Sequence, residues 1–367
     1  MKSRAGKRPG SGRGAVSNRT GRFERNTVVL VDDPSTEGEI IEARRPQTKV
    51  TPEATRKALT TNDSPDVPFD RSINPYKGCE HGCVYCFARP THAYLGLSPG
   101  LDFETRIYSK PDAPDALRRE LGRPGYRPDV VALGANTDPY QPVERRERIT
   151  RRLLEVLAEH EHPVSVITKS SLVLRDLDLL APMAAKRLAH VYLSITTLDP
   201  ELARRMEPRA STPSGRIAAI AELRSAGVPV GVLASPMIPA LNDAELEKIL
   251  EGAAAAGATS AGYVLVRLPL EVEDLFSEWL AIHYPLRAKH VLSLIRNTRG
   301  GDLYRSGYGE RMRGSGAYAD LLARRFDAAC ERLGLARRPA DFDLTRFRTS
   351  AGCQLGLFDR SRARPLN

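Results

Sequence analysis

The sequence predicts an α/β fold in which six strand-and-helix units wind into a parallel barrel or partial barrel, and three patterns predict it. Val-rich apolar runs at residues 129–133, 164–168, 191–196, 228–234 and 262–266 begin 35, 27, 37 and 34 residues apart, the length of a strand, a crossover helix and two turns. Between these runs the apolar residues change to helical spacing. A sixth strand, residues 69–75, stands just ahead of a run of cysteines.

Each element follows from local chemistry. The apolar runs are nearly unbroken, which suits parallel strands covered on both faces. Ile149, Leu153, Val156 and Leu157 recur at i, i+4, i+7 and i+8, with Arg145, Arg148 and Arg152 on the opposite face, and so predict an amphipathic helix. Asn242-Asp243 supplies N-cap chemistry for a helix through Ile249 and Ala254, and Gly227 closes the helix before it. A parallel barrel carries its site at the C-terminal strand ends, which makes the polar residues there candidates: Gly134, Thr137 and Asp138 after the second strand, Lys169 after the third, Ser194 on the fourth. The plainer alternative makes Lys169 and Ser194 rim residues and Thr137-Asp138-Pro139 a turn.

Cys79, Cys83 and Cys86 are spaced CxxxCxxC, with Gly78 and Gly82 free to curl the loop so that three sulfurs converge. Three thiolates are the set that holds a cubane iron-sulfur cluster and leaves its fourth iron without a protein ligand. Tyr85 and Phe87 would shield such a cluster from water. A structural zinc site is the rival, with His81 or His92 as fourth ligand, although zinc motifs usually show two CxxC-like pairs. A disulfide framework does not fit, because Cys330 and Cys353 are remote and no secretory segment is expected. Those two residues are read as ordinary thiols.

The CxxxCx(aromatic)C run resembles that of radical S-adenosylmethionine (radical SAM) enzymes. The resemblance implies a partial (β/α)6 TIM-like barrel over residues 69–270, a 4Fe-4S cluster on the three cysteines, and S-adenosylmethionine cleaved reductively to a 5′-deoxyadenosyl radical. It further implies contacts to the methionine amino group near Gly134, Thr137 and Asp138, where such enzymes usually carry a Gly-Gly-Glu-like sequence. Lys169, or Arg209 in Glu207-Pro208-Arg209, would meet the methionine carboxylate, Ser194 the ribose and Tyr85 the adenine. Asn74-Pro75-Tyr76-Lys77-Gly78-Cys79, Tyr85-Cys86-Phe87-Ala88-Arg89 and Thr137-Asp138-Pro139-Tyr140-Gln141-Pro142 resemble the spore photoproduct lyase-like, DNA repair photolyase-like branch. Gly21-Arg22-Phe23-Glu24 in a basic N-terminal arm resembles a bacterial subgroup of that branch. The hydrogen-donor cysteine that true spore photoproduct lyases carry near the second-strand end has no counterpart here, where Ala135 and Asn136 stand. Tyr140 and Tyr263 are positional candidates for that donor.

Charge divides the chain. Residues 1–25 carry +7, residues 337–367 carry +4, and the 26–336 body sums to −1 of the total +10. The expected organisation is a disordered basic arm over 1–26, an N-terminal extension over 27–68, the barrel, a helical extension over 271–336, and an Arg-rich tail over 337–367. The arm and tail suggest nucleic acid as a partner. In the tail, Gln354, Leu355, Leu357 and Phe358 of Gln354-Leu355-Gly356-Leu357-Phe358 resemble the peptides that dock on the bacterial DNA sliding clamp, with a latch folded onto the barrel as the plainer reading. No apolar run reaches bilayer length, so no membrane partner is expected, and a cytoplasmic setting with an electron donor such as flavodoxin or ferredoxin follows. A non-catalytic iron-sulfur or zinc protein that associates with DNA through its tails is the alternative function.

Overall fold

The computed structural model describes residues 12–24, 47–338 and 341–349. Six parallel strands form one sheet in chain order: β1 (Arg71–Ile73), β2 (Val131–Leu133), β3 (Val164–Thr168), β4 (Ala189–Ser194), β5 (Val230–Met237) and β6 (Ser260–Leu265). The register runs Arg71 to Val131, Val131 to Val164, Val164 to Ala189, Val191 to Val230 and Gly231 to Ser260. A two-residue strand, Thr60–Thr61, pairs antiparallel on the outer edge of β1, while β6 takes a single bridge to Ala336. The sheet is therefore open, a partial barrel.

The crossovers are α1 (Ala113–Leu121), α2 (Ile149–Glu159), α3 (Leu177–Ala185), α4 (Pro213–Ser225) and α5 (Leu246–Ala255). In α2 the stripe Ile149, Leu153, Val156 and Leu157 is buried and Arg152 exposed, as the periodicity requires. Thr212 caps α4 through Gly215 N, and Gly227 follows its end at φ +78°. Asn242 departs from its expected capping role. Its side chain turns back, accepting from Ile238 N at 2.6 Å and donating to Thr196 O and Pro236 O at 2.7 and 2.9 Å. Here tying the ends of β4 and β5 together satisfies more buried backbone groups than a cap would.

Beyond β6, α6 (Glu271–His283), α7 (Ala288–Asn297) and α8 (Ala317–Leu333) follow. Helices α6 and α7 bring Phe276, Trp279, Val291 and Ile295 into an apolar cluster with Val84 and Tyr85 of the cysteine loop. Strand Arg106–Ser109 sits between Lys49–Pro52 and Tyr76–Lys77 in a small second sheet, which supports the same loop from below.

Of the basic arm, expected to be disordered over 1–26, residues 12–24 are described and depart from that expectation. Residues 12–24 lie across the cysteine end of the barrel as a strap, and Ala15 is buried. Gly14 N and Ala15 N donate to the Glu104 carboxylate at 3.0 and 2.8 Å, and Ser17 Oγ donates to Glu278 at 2.6 Å. Composition predicted poor self-burial, but the segment buries itself against a surface provided elsewhere in the chain, which composition does not report. The Gln354 to Phe358 peptide and Cys353 lie outside the described residues.

Candidate active site at the barrel mouth

The cysteine loop leaves the Tyr76–Lys77 strand through two glycines that no other residue could replace without displacement. Gly78 sits at φ +81°, where a Cβ would come within 2.8 Å of Phe103 O, and Gly82 at φ +68°, where it would meet Glu104 Oε2 at 2.6 Å. Cys79 N donates to Phe103 O at 3.0 Å, Val84 N to Met206 O at 3.0 Å, and Cys86 N to Cys83 O at 3.2 Å. Beneath the loop lies Arg89, fully buried. Its guanidinium donates to Cys83 O and Pro99 O at 2.9 Å, to Gly82 O at 3.3 Å and to Glu104 Oε1 at 2.5 Å. The strap and the loop thus meet in one carboxylate, Glu104, itself inaccessible to water.

The Thr137-Asp138-Pro139-Tyr140-Gln141-Pro142 segment proves to be a brace. Gly134, at φ +93°, lets the chain pass so close to β3 that a Cβ would lie 2.2 Å from Ile167 O. Thr137 Oγ1 donates to Tyr76 O at 2.8 Å. Asp138 accepts from Thr168 Oγ1 and from Lys169 N, each at 2.7 Å, and His81 Nδ1 stands 3.3 Å away. Burial works against the Asp138 carboxylate, but His81 and these donors outweigh it and hold the group down to about 2. Gln141 accepts from Glu80 N at 2.9 Å and donates to Gly78 O at 3.1 Å. The Thr137 and Asp138 side chains are engaged in positioning the cysteine loop and the β3 end.

Lys169 and Ser194 come together as the strand-end argument expects. Lys169 Nζ donates to Ser194 Oγ at 2.9 Å and lies 6.0 Å from the centre of the Tyr85 ring. The Tyr85 hydroxyl donates to Glu207 and stands 3.1 Å from Thr196 Oγ1, while Thr196 donates to the same carboxylate at 2.5 Å. Glu207 is closed off by an ion pair with Arg216, both side chains at most 1% exposed. Burial opposes the Glu207 charge, yet Arg216 and Lys169 keep its carboxyl below the usual range. Arg209 flanks the loop, its N–H on His81 O at 3.3 Å, and is matched to Glu80 at 3.2 Å. Tyr140 is buried with its hydroxyl on Asp176 at 2.9 Å, and Tyr263 packs against Phe326 of α8.

The donor set of the loop is three thiols, Cys79 and Cys83 buried and Cys86 half-buried. Burial pushes all three up, while Lys169 acts to lower both Cys83 and Cys86, joined by Arg216 at Cys83 and by Arg89 and Arg267 at Cys86. Cations around buried thiols favour thiolate ligation. Of the two zinc-ligand candidates, His81 Nδ1 stands 3.3 Å from Asp138 and His92 Nε2 2.9 Å from Arg106 O. Among the described residues no three His, Cys, Asp or Glu side chains gather round a single ion position. A cubane gives each thiolate its own iron, and three thiols on one loop with cations beside them fit that group.

A partial parallel barrel whose mouth is roofed by a three-thiol loop defines a class of cluster-bearing enzyme. The Radical SAM superfamily model matches residues 73–253. The chain belongs to the radical SAM superfamily, whose members use a 4Fe-4S cluster and S-adenosylmethionine. An uncharacterised protein of Mycobacterium tuberculosis is 40% identical over 232 residues, covering 63% of this chain and 68% of that one. One of Methanocaldococcus jannaschii is 28% identical over 173 residues, covering 47% and 62%. Among solved structures, spore photoproduct lyase complexed with dinucleoside spore photoproduct superposes with a TM-score of 0.58 at 17% identity over 84% of this chain and 87% of that one. A variant of that lyase with bound AdoMet and the same dinucleoside gives 0.56 at 17%, over 78% and 81%. At that identity the likeness is one of fold.

Sequence reasoning missed Arg89, Glu104, Glu207 and Arg216 as the ionic frame of the site. Arg89 and Glu207 stand in segments that the motif reading quotes, but nothing in a linear sequence pairs Glu104 or Arg216 with them.

Proposed function

We propose that the chain is a radical SAM enzyme acting on nucleic acid in a repair-like reaction, in the cytoplasm, with Cys79, Cys83 and Cys86 as cluster ligands. The observation that carries the enzyme reading is the meeting of Lys169 with Ser194 and the Tyr85 ring at the C-terminal strand ends, next to Cys83 and Cys86. When bound, the cluster and S-adenosylmethionine supply one-electron cleavage of a sulfonium bond and a radical that abstracts hydrogen from substrate. The chain's own residues orient and enclose. Lys169, directed by Asp138 through its backbone N–H, presents an ammonium to the methionine carboxylate, and Ser194 presents a hydroxyl to the ribose. The Tyr85 ring, fixed by Glu207 and Thr196, forms a rigid wall for the adenine. Gly134, Thr137 and Asp138 serve through backbone groups, since the Thr137 and Asp138 side chains are occupied, and Arg209 is the second candidate for the carboxylate.

The nucleic-acid reading draws on the charged ends, +7 and +4 around a body of −1, and on a fold shared with a protein whose structure holds a dinucleoside photoproduct. The Gln354, Leu355, Leu357 and Phe358 peptide is proposed to tether the enzyme to a sliding clamp, and a flavodoxin or ferredoxin to supply the electron. Among the described residues no helix is long and apolar enough to cross a membrane.

The deciding experiment is anaerobic reconstitution with iron, sulfide and dithionite. The expected result is 5′-deoxyadenosine from S-adenosylmethionine, abolished together with iron content by Cys83→Ala. A colourless chain that binds zinc through the same cysteines and forms no deoxyadenosine would establish the non-catalytic alternative.

A further inference from the structure

One edge of the barrel mouth is built from two neighbouring segments. The first, 87–95, follows the third cysteine at Phe87 and continues into the Arg89–Leu95 turn; the second, 267–271, follows β6 at Arg267 and enters α6 at Glu271. Helix α6 packs beside the Arg89–Leu95 turn. The two segments are joined at both ends. At one, the Arg267 guanidinium lies over the Phe87 ring, 4.1 Å from its centre. At the other, the strap sets Phe23 against Tyr94, ring centres 5.3 Å apart, and Arg22 stands over both rings at 5.3 and 5.7 Å while its Nε reaches Glu271 at 2.7 Å.

These contacts do not bury the rings. With the guanidiniums in place Phe87 is 40% exposed, Phe23 53% and Tyr94 70%. Among the described residues four aromatic side chains are exposed, and all but Tyr308 stand on this edge, so the exposure is concentrated rather than scattered. Phe87, expected to shield the cysteine loop, offers much of its surface outward instead. A stacked guanidinium keeps its in-plane N–H donors free for a partner at its edge. Among the described residues Arg267 has neither a hydrogen bond nor a carboxylate partner. Glu271 takes up Arg22, so one stack presents ring surface alone and the other presents ring surface with charge.

The occupant that fits such an edge is flat, aromatic and anionic at once. An aliphatic peptide would cover the rings but leave the Arg267 charge unmatched, and an acidic one would match the charge but leave the rings in water. Unpaired nucleobases stack on aromatic rings whatever their identity, and the phosphates that join them answer a guanidinium. Resting on the nucleic-acid reading of the site, we propose that Phe87, Tyr94 and Phe23 form a stacking platform for the unpaired bases of a single strand, which leads that strand along the edge to the cysteine loop.

The test is equilibrium binding of two short single strands of equal length to the reconstituted full chain: an oligothymidylate and its abasic counterpart, which keeps the phosphates and lacks the bases. The wild-type chain is expected to hold the oligothymidylate tighter by roughly tenfold or more, the share of one stacked base. Tyr94→Ala and Phe87→Leu should each cut that preference by roughly fivefold or more and leave the abasic strand where it was. Tyr94 is the most exposed of the three rings, so its variant should keep the wild-type melting temperature and iron content, which separates lost stacking from lost folding. Equal affinity of the wild-type chain for the two strands would overturn the platform while leaving nucleic acid bound through the basic arm. Binding of neither strand would overturn the platform and the nucleic-acid reading together. A Tyr94→Ala chain that loosens both strands alike overturns the platform too, as does one that changes neither but dissociates a dimer of the wild-type chain, a result that assigns the face to a second copy. Deoxyadenosine formation without nucleic acid is read separately, so the enzyme reading stands or falls by itself.

Discussion

The two ends of the barrel handle buried polarity in opposite ways. At the mouth, charges are buried and matched: Arg89 with Glu104, Arg216 with Glu207, and Asp138 with the Thr168 hydroxyl and the Lys169 N–H at the β3 end. At the opposite end two buried histidines are kept neutral, beside a Glu161 carboxylate paired with Lys186 and Arg348 nearer the surface. His162, just before β3, takes the Tyr126 hydroxyl on Nε2 at 2.9 Å, and His190, near the start of β4, has no partner on either nitrogen. Burial pushes both imidazoles down to about 4. Neutral polar groups suffice where the barrel only has to be filled. Paired ions give a single geometry but little net stability, so they belong where the cysteine loop and its ligands must be held in register.

The largest effect should come from breaking one partner of a matched pair. Glu104→Ala leaves the Arg89 guanidinium buried without its carboxylate and removes the acceptor for Gly14 N and Ala15 N, so strap and loop loosen together. The expected loss is about 3–5 kcal/mol of stability, read by urea unfolding of the apo chain. Faster bleaching of the reconstituted chain in air would show that the strap shields the cluster. A Glu104→Ala chain as stable as wild type would mean that the mouth does not depend on its ion pairs.

How much of this the sequence revealed depends on the range of the interaction. The strands and α2 were legible because alternation and helical spacing are local, and the cysteine loop because its ligands and glycines fall within nine residues. Lys169 and Ser194 were found by their position past strand ends, a topological inference that needs only strand order. Asp138 was flagged but not its task, since Thr168 and Lys169 N, thirty residues on, decide whether it faces a ligand or a neighbour. The strap was missed because residues 12–24 bury themselves against Glu104 and Glu278, and those contacts have no local signature. His190 likewise lies on a strand, with Val191 and Leu193 pointing the other way, and gives no sign of being unpartnered.

A middle-sized effect should separate the two ends by pH. The folded His162 and His190 titrate near 4, against an ordinary 6.5 in the unfolded chain. Between those values the unfolded state holds more protons, so stability is full above about pH 6.5 and falls as pH drops toward 4. For one such histidine the loss at pH 5 is about 2 kcal/mol. His190→Leu should therefore flatten the fall in melting temperature between pH 7.5 and pH 5. An unchanged slope would mean that the far end carries no titrating burden.

The smallest effect makes the comparison sharpest, because it uses the same residue types as the Arg89 and Glu104 pair. On the surface Arg118 of α1 reaches Glu159 of α2 at 2.9 Å, with side chains 45% and 53% exposed. The Arg118 guanidinium depresses the Glu159 carboxyl, but water and salt screen most of that attraction and two long side chains lose rotamer freedom to make it. Arg118→Ala is expected to cost no more than about 0.5 kcal/mol, and less still at 0.5 M salt, by the same urea titration. If it proved as damaging as Glu104→Ala, burial would not be what distinguishes the mouth, and the density of ion pairs around the cysteines would need another cause.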